Sequence, residues 1–247
     1  RDFCLSRGLG DVYKRQEHNN PECKLFISDP AKGYHDDMKD IDIAFLQIHV
    51  RTEDDGTQDL SLMKELISAL PDVPVFVRTT ILPGSSELLS KETGHHVHYM
   101  PEFLTERTHI EDFKKQTMVF TGALELLTKI FIGKKFTVMT PLEAELTKYM
   151  HNVFGAYKVT YFNACREYCE KMGADWRTVH TGVLLSGYIN DTHTYVPGPD
   201  GKFGYGGKCF PKDVNAFAKM TQGTPLGVLL APLHELNVHF RGEEEII

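Results

Sequence analysis

The sequence predicts an α/β fold in which a Rossmann-like parallel sheet is followed by an all-helical part built on one long central helix. Three observations carry this expectation. Between residues 21 and 139, short apolar runs rich in branched residues alternate with segments that start helices, the pattern of a buried parallel sheet. From Thr140 the chain runs without a stop to Gly173. Beyond that point only helices and loops are legible. The expected division is a non-matching segment over 1–20, an incomplete sheet domain over 21–139 and a helical domain over 140–247.

The composition suits a soluble globular chain of one or two domains, with 247 residues, 41% of them hydrophobic and 25% charged. A net charge of −7 argues against a nucleic-acid partner. No apolar run approaches the roughly 20 residues of a membrane helix, and no secretory signal is visible. The cysteines at 4, 23, 165, 169 and 209 are odd in number and lack a framework spacing. They point to free thiols in a reducing, cytoplasmic setting.

The N-terminal segment fits a dinucleotide fold poorly. A phosphate loop needs a buried strand and then G-x-G-x-x-G, but Tyr13 holds the third glycine position after Gly8 and Gly10. Residues 1–4 are too short and too charged for that strand. The expectation is that the first strand, loop and helix are missing or replaced. Lys24–Asp29 is a short apolar run ending in an acid. Asp29 is a candidate for the ribose hydroxyls of a dinucleotide, or an ordinary turn residue. Residues 41–50 read as a buried strand, followed by the loop of Thr52 and a helix with Asp59 as its cap. Val73–Thr80 is the next strand. Thr80 at its carboxyl end lies where open α/β sheets bind ligands. Residues 97–107 carry Glu102 and Glu106, paired acids suited to acid-base work or simply solvated. His95, His96 and His98 give no coherent ligand set, so no metal is expected. A strand over 117–122 and a helix from Leu124 to Ile132 complete this part.

Thr140-Pro141-Leu142-Glu143 is a capping box with proline at the first helical position. The helix runs about 32 residues, roughly 48 Å at ~1.5 Å per residue. Leu142, Leu146, Met150, Val153 and Tyr157 form its expected buried stripe. Lys148 and Asn152, four apart, share another face. Cys165 and Cys169 read as core thiols. Asp175 starts a further helix to about Ser186, and 188–203 is a loop by composition. Then comes Gly204-Tyr205-Gly206-Gly207-Lys208-Cys209-Phe210-Pro211-Lys212-Asp213. Glycines allow a backbone to approach a ligand closely, and Lys208 and Lys212 favour a thiolate at Cys209.

That glycine-cysteine stretch resembles the catalytic-cysteine signature of the nucleotide-sugar 6-dehydrogenases, the UDP-glucose and GDP-mannose dehydrogenase family. The resemblance extends over about residues 24 to 241. It takes in Thr80-Ile81-Leu82-Pro83-Gly84-Ser85, Pro101-Glu102-Phe103-Leu104-Thr105-Glu106 and the series Glu145, Leu146, Lys148, Asn152 and Phe154. Departures from the pattern are Arg51 for Pro, Met100 for Asn, Arg107 for Gly, and His193 for the arginine that reaches a neighbouring subunit's site.

The resemblance implies NAD-dependent oxidation of a nucleotide sugar's C6 alcohol to the carboxylate through a thioester on Cys209. It implies Lys148 and Asn152 as oxyanion donors, Asp213 as base or water holder, Glu106 assisting hydrolysis, and Glu102 and Thr80 in support. Asp29, Thr52, Thr80 and Lys212 would contact NAD. Phe103, Leu104, Lys148, Asn152, Phe203 and Gly206 would contact the substrate. The helix over 140–172 would form a homodimer. Family members continue into a second Rossmann-like domain, so a compact member or a fragment is expected. The alternative is a non-catalytic dimeric nucleotide-sugar binding protein or an inactive fragment. A hydroxy-acid dehydrogenase is a weaker third reading, since a two-electron oxidation needs no thioester.

Overall fold

The computed structural model describes residues 2–4, 23–53, 55–104, 111–112, 118–207 and 209–242. The chain divides into two compact units, 1–51 with 58–148, and 52–57 with 149–247.

The first unit is built on a five-stranded sheet. Its strands are β1 (Asp2–Cys4), β2 (Leu25–Phe26), β5 (Ile43–Leu46), β6 (Val75–Val77) and β7 (Val97–Tyr99). The order is β2-β1-β5-β6-β7 and every pairing is parallel. Two further parallel strands, β8 (Met118–Phe120) and β9 (Phe136–Val138), pair with each other. Between β2 and β5 the short strands β3 (Ser28–Asp29) and β4 (Tyr34–His35) form an antiparallel pair. Helices α1 (Ser61–Ser68), α2 (Ser85–Thr93) and α3 (Leu124–Ile130) belong to this unit.

One expectation is corrected here. Residues 2–4 do form a strand, and it lies inside the sheet: Asp2 pairs with Leu25 on one side and Ile43 on the other. The chain runs from β1 to β2 in one direction and reaches β5 on the opposite side. The topological switch point, where such sheets bind ligands, therefore lies at the carboxyl ends of β1 and β5. The glycine positions that follow β1, Gly8 and Gly10, lie outside the described residues, as do Glu106 and Lys208.

Apolar burial explains the strand runs. Ile43, Ala44, Phe45 and Leu46 are all buried, so β5 faces a core on both sides. Ala44, Leu46, Val75, Val77 and Met63 fill one cluster, and Ile43, Phe45, Phe76, Phe120 and Phe131 the other. α1 begins at Ser61, one residue later than Asp59 as its cap suggests. Asp59 still serves it, since its Oδ1 accepts from the Ser61 amide at 2.9 Å.

The long helix α4 (Pro141–Lys171) begins in the first unit and continues into the second. Its capping box is formed: Glu143 Oε2 accepts from the Thr140 amide at 2.8 Å, and Thr140 Oγ1 accepts from the Glu143 amide at 3.3 Å. The second unit adds α5 (Trp176–Leu185), α6 (Phe210–Met220), α7 (Pro225–Leu230) and α8 (Leu233–Arg241). Asp175 caps α5 through the amides of Arg177 and Thr178. Gly155, inside α4, is glycine for a packing reason. A Cβ there would lie 2.8 Å from the Phe210 ring.

Of the stripe expected to be buried on α4, Val153 is buried and Leu146 half-buried, but Leu142 and Met150 are about half exposed at 47% and 53%, and Tyr157 is exposed too. The buried face is a more polar one, with Ala144, Glu145, Lys148, Tyr149, Asn152, Val153, Ala156, Thr160 and Asn163. Apolar periodicity found only the edge of that face because the polar side chains on it find partners inside the chain.

Candidate active site

In the first unit, the carboxyl ends of β5, β6 and β7 carry the polar residues. Thr79 stitches two of them beyond their ladder: its Oγ1 accepts from the Ile48 amide at 3.0 Å and donates to the Ile48 carbonyl at 2.8 Å. Thr80 follows and is buried at 8% exposure. Arg78, 2% exposed, meets Glu102 at 3.3 Å. Glu102 thereby sits against a buried cation, and its main-chain carbonyl accepts from Lys148 Nζ. The same ammonium lies 5.3 Å from the ring centroid of Phe103. Lys148 is thus no solvated surface lysine. It is buried over an aromatic face, a setting in which cations gain from the ring quadrupole. Leu104 packs on the cluster around Phe45.

Glu145, one turn before Lys148, is fully buried. Its carboxylate accepts from the Gly84 amide (2.6 Å), the Ser86 amide (2.8 Å) and Ser86 Oγ (2.6 Å). Burial pushes its carboxyl above the usual range, against the pull of these bonds. It satisfies the open amides at the start of α2, where no other side chain caps. Sequence reasoning matched Glu145 only to a pattern, and it passed over Arg78. The signal for Arg78 was a charge in an otherwise apolar stretch; Glu145, with Glu143 and Lys148 beside it, had no such signal.

At the end of β3, Asp29 forms an ion pair with Lys32 at 3.2 Å. Thr52 belongs to the second unit, whose 52–57 loop rests on α6. A Cβ on Gly56 would lie 2.7 Å from that of Lys219, and Asn215 Nδ2 donates to the Glu53 carbonyl at 3.4 Å.

The second unit assembles the cysteine end. Cys209 is exposed and stands at the N-cap of α6, with Pro211 in the first turn. One turn on, Asp213 is fully buried, and its amide donates to the Cys209 carbonyl at 2.9 Å. Both carboxylate oxygens of Asp213 are engaged. Oδ2 accepts from Asn152 Nδ2 at 2.6 Å, and Oδ1 pairs with Lys212 Nζ at 2.5 Å. An acid in a helix's first turn also complements its dipole. Asn152 is buried at 4% and its Oδ1 faces His151 Nδ1 at 3.0 Å. The structure therefore joins Asn152, Lys212 and Asp213 in one cluster, and Lys148, Glu102 and Arg78 in another.

Other expected residues have different surroundings. The Phe203 ring is covered by the Arg166 guanidinium, 4.3 Å from its centroid. His193 adopts φ +63 and meets Phe210 edge-on, and burial lowers its pKa. Cys165 and Cys169 are half-buried rather than core residues. His98 stacks on Phe76 at 4.9 Å, and His95 bonds main-chain carbonyls.

A parallel sheet with a switch point, a long helix that carries buried polar groups, and a cysteine at the head of a following helix define a two-part dehydrogenase-type fold. Residues 142–235 match the sequence profile of the UDP-glucose/GDP-mannose dehydrogenase family, central domain. That stretch of the chain is therefore a central domain of this family. It is 29% identical over 209 residues to a UDP-glucose 6-dehydrogenase of Rickettsia prowazekii, covering 76% of this chain and 47% of that protein. A UDP-glucose 6-dehydrogenase of Rhizobium meliloti is 31% identical over 230 residues, covering 80% of this chain and 52% of that protein. The chain thus spans about half the length of the curated relatives it matches. Among solved structures, a UDP-glucose dehydrogenase from Pyrobaculum islandicum superposes with a TM-score of 0.73 at 24% identity, covering 96% of this chain and 62% of that one. That likeness is one of fold.

Proposed function

We propose that the protein acts in NAD-dependent oxidation of a nucleotide sugar, a UDP-glucose-like substrate, from the C6 alcohol to the carboxylate. The observation that carries this reading is the exposed Cys209 at the head of α6, one turn before a buried Asp213 held by Asn152 and Lys212. A thiol at a helix N-terminus near a lysine favours the thiolate.

Cys209 Sγ adds to the carbon of the aldehyde formed by the first oxidation, making a C–S bond. Loss of a second hydride converts the adduct to a thioester. Water then attacks, the C–S bond breaks, and thiolate and carboxylate result. Two molecules of NAD, bound in turn, would supply the hydride acceptors, one for each oxidation. Asp29, Thr52, Thr80 and Lys212 are the residues assigned to hold NAD, and the switch point of the sheet fits such a ligand. Lys148 and Asn152 donate to the developing oxyanions. Asp213 holds the attacking water, Glu106 takes a proton during hydrolysis, and Glu102 supports Lys148 through its carbonyl. Phe103, Leu104, Phe203 and Gly206 are assigned to the substrate. The protein works as a homodimer through the 140–172 helix, whose exposed Met150, Phe154, Tyr161 and Tyr168 form an apolar face. The half-buried thiols of Cys165 and Cys169 suit the reducing cytoplasm. No helix among the described residues is long and apolar enough to cross a membrane.

The test is incubation with NAD and UDP-glucose, following NADH absorbance, uronate formation and the mass of the Cys209 peptide. Oxidation with an acyl adduct on Cys209 supports the reading. Binding of the sugar nucleotide without oxidation favours the non-catalytic alternative.

A further inference from the structure

We propose that Asn237 and Arg241, on the last helix, are positioning residues for Cys209. They set the shape of the glycine loop that presents the thiol, and Gly206 is glycine because Arg241 fills the space its side chain would take. This rests on the proposed role of Cys209. It adds to the meaning of the motif: Gly204 and Gly206 also permit a close approach to the chain's own α8.

Asn237 is fully buried. Its carboxamide clasps the main chain of Tyr205 at two points, with Oδ1 accepting from the amide at 2.7 Å and Nδ2 donating to the carbonyl at 2.9 Å. The adjoining Gly204 amide donates to Asn163 Oδ1 on α4 at 3.1 Å. The Tyr205 hydroxyl, buried, donates to the Leu233 carbonyl at 3.2 Å. Arg241 grips the same loop from its other end. Its Nη1 donates to the carbonyls of Phe203 (3.2 Å) and Gly204 (3.3 Å), and its Nη2 meets Asp200 Oδ2 at 2.5 Å.

The glycines fit this clasp. Gly204 has φ +67, and a Cβ there would also fall 2.5 Å from Asn237 Oδ1. Gly206 has no such backbone demand. A Cβ on it would lie 2.8 Å from Arg241 Nε and closer still to Cζ and Nη2. A guanidinium can normally swing aside, but this one is 7% exposed and would have to break its bonds to Phe203, Gly204 and Asp200. A buried donor or acceptor left without a partner is costly. The clasp reaches the cysteine through Tyr205, whose ring meets that of Phe210, next to Cys209, edge-on at 6.5 Å.

The experiment uses the full chain and needs no turnover. Cys209 is alkylated with iodoacetamide across a pH series and its rate is read by peptide mass spectrometry, with Cys165 and Cys169 as internal controls for unfolding. In Asn237→Ala, Arg241→Ala and Gly206→Ala the Cys209 rate and its pH profile should shift by about tenfold, while the controls hold. Gly206→Ala/Arg241→Ala should match Arg241→Ala alone, because the clash has gone. The proposal is overturned if Gly206→Ala leaves Cys209 unchanged, or if the double variant multiplies the two single effects. Absence of sugar oxidation by the parent would count against the proposed function only, since the alkylation series still decides the clasp.

Discussion

Cys209 is the residue on which the chemistry turns. Cys209→Ser should abolish carboxylate formation while leaving reduction of added aldehyde by NADH, because a hydroxyl is a far weaker nucleophile at neutral pH than a partly ionised thiol. Acid formation by Cys209→Ser near the parent rate would make the cysteine structural. Lys148→Ala should slow both oxidations by roughly a hundred- to a thousand-fold, the scale of a lost oxyanion donor, which steady-state kinetics can read. Asn152 has a second consequence, in stability. Removing its carboxamide leaves the fully buried Asp213 with one oxygen unpaired, so Asn152→Ala should lower stability by about 1–3 kcal/mol in urea unfolding. Lys148 and Asn152 were legible as a pair from their spacing of four. That they are buried was not, because burial depends on Glu102 and Asp213, which are distant in sequence.

Among the elements, the long helix α4 was the most legible. Its capping box, its proline and its stop were all readable locally, since each acts within one turn. Thr140→Ala should cost about 1 kcal/mol, the usual worth of such a cap, with the thermal midpoint as readout. The buried face of α4 was not legible. Phe154 and Tyr161, at 66% and 54% exposure, lie on the face that the chain leaves open. The proposed dimer is expected to use it, so Phe154→Glu with Tyr161→Glu should give a monomer in sedimentation. A parent that is already monomeric at micromolar concentration would remove the dimer. The strands were legible as runs but came out shorter, with β6 only Val75–Val77, because the ends of each run carry polar groups such as Arg78 and Thr79 that bond outside the ladder.

At the scale of the whole molecule, buried histidines tie stability to pH. Burial lowers the pKa of His98, His180 and His193 from 6.5. The unfolded chain then binds more protons between the two values. Stability from these groups is complete above the unfolded value and falls as pH drops through it toward the folded one. Urea midpoints should be lower at about pH 5.5 than at about pH 7.5, and His98→Phe should narrow the gap. An unchanged gap would mean that His98 carries no part of it. By itself the sequence determined the alternation of strands and helices, the limits of α4 and α5, and the cysteine stretch, because these follow from periodicity and from caps that act over a few residues. Only the tertiary structure decided that Asp2–Cys4 is a strand between β2 and β5, since a three-residue run has no signal of its own and is defined by those neighbours. It also decided that Glu145 caps α2, that Asp213 is held by Asn152, and that Gly204 and Gly206 face Asn237 and Arg241. Each of these is a hydrogen bond or a close approach between residues tens of positions apart, and such a contact exists only once the chain has folded.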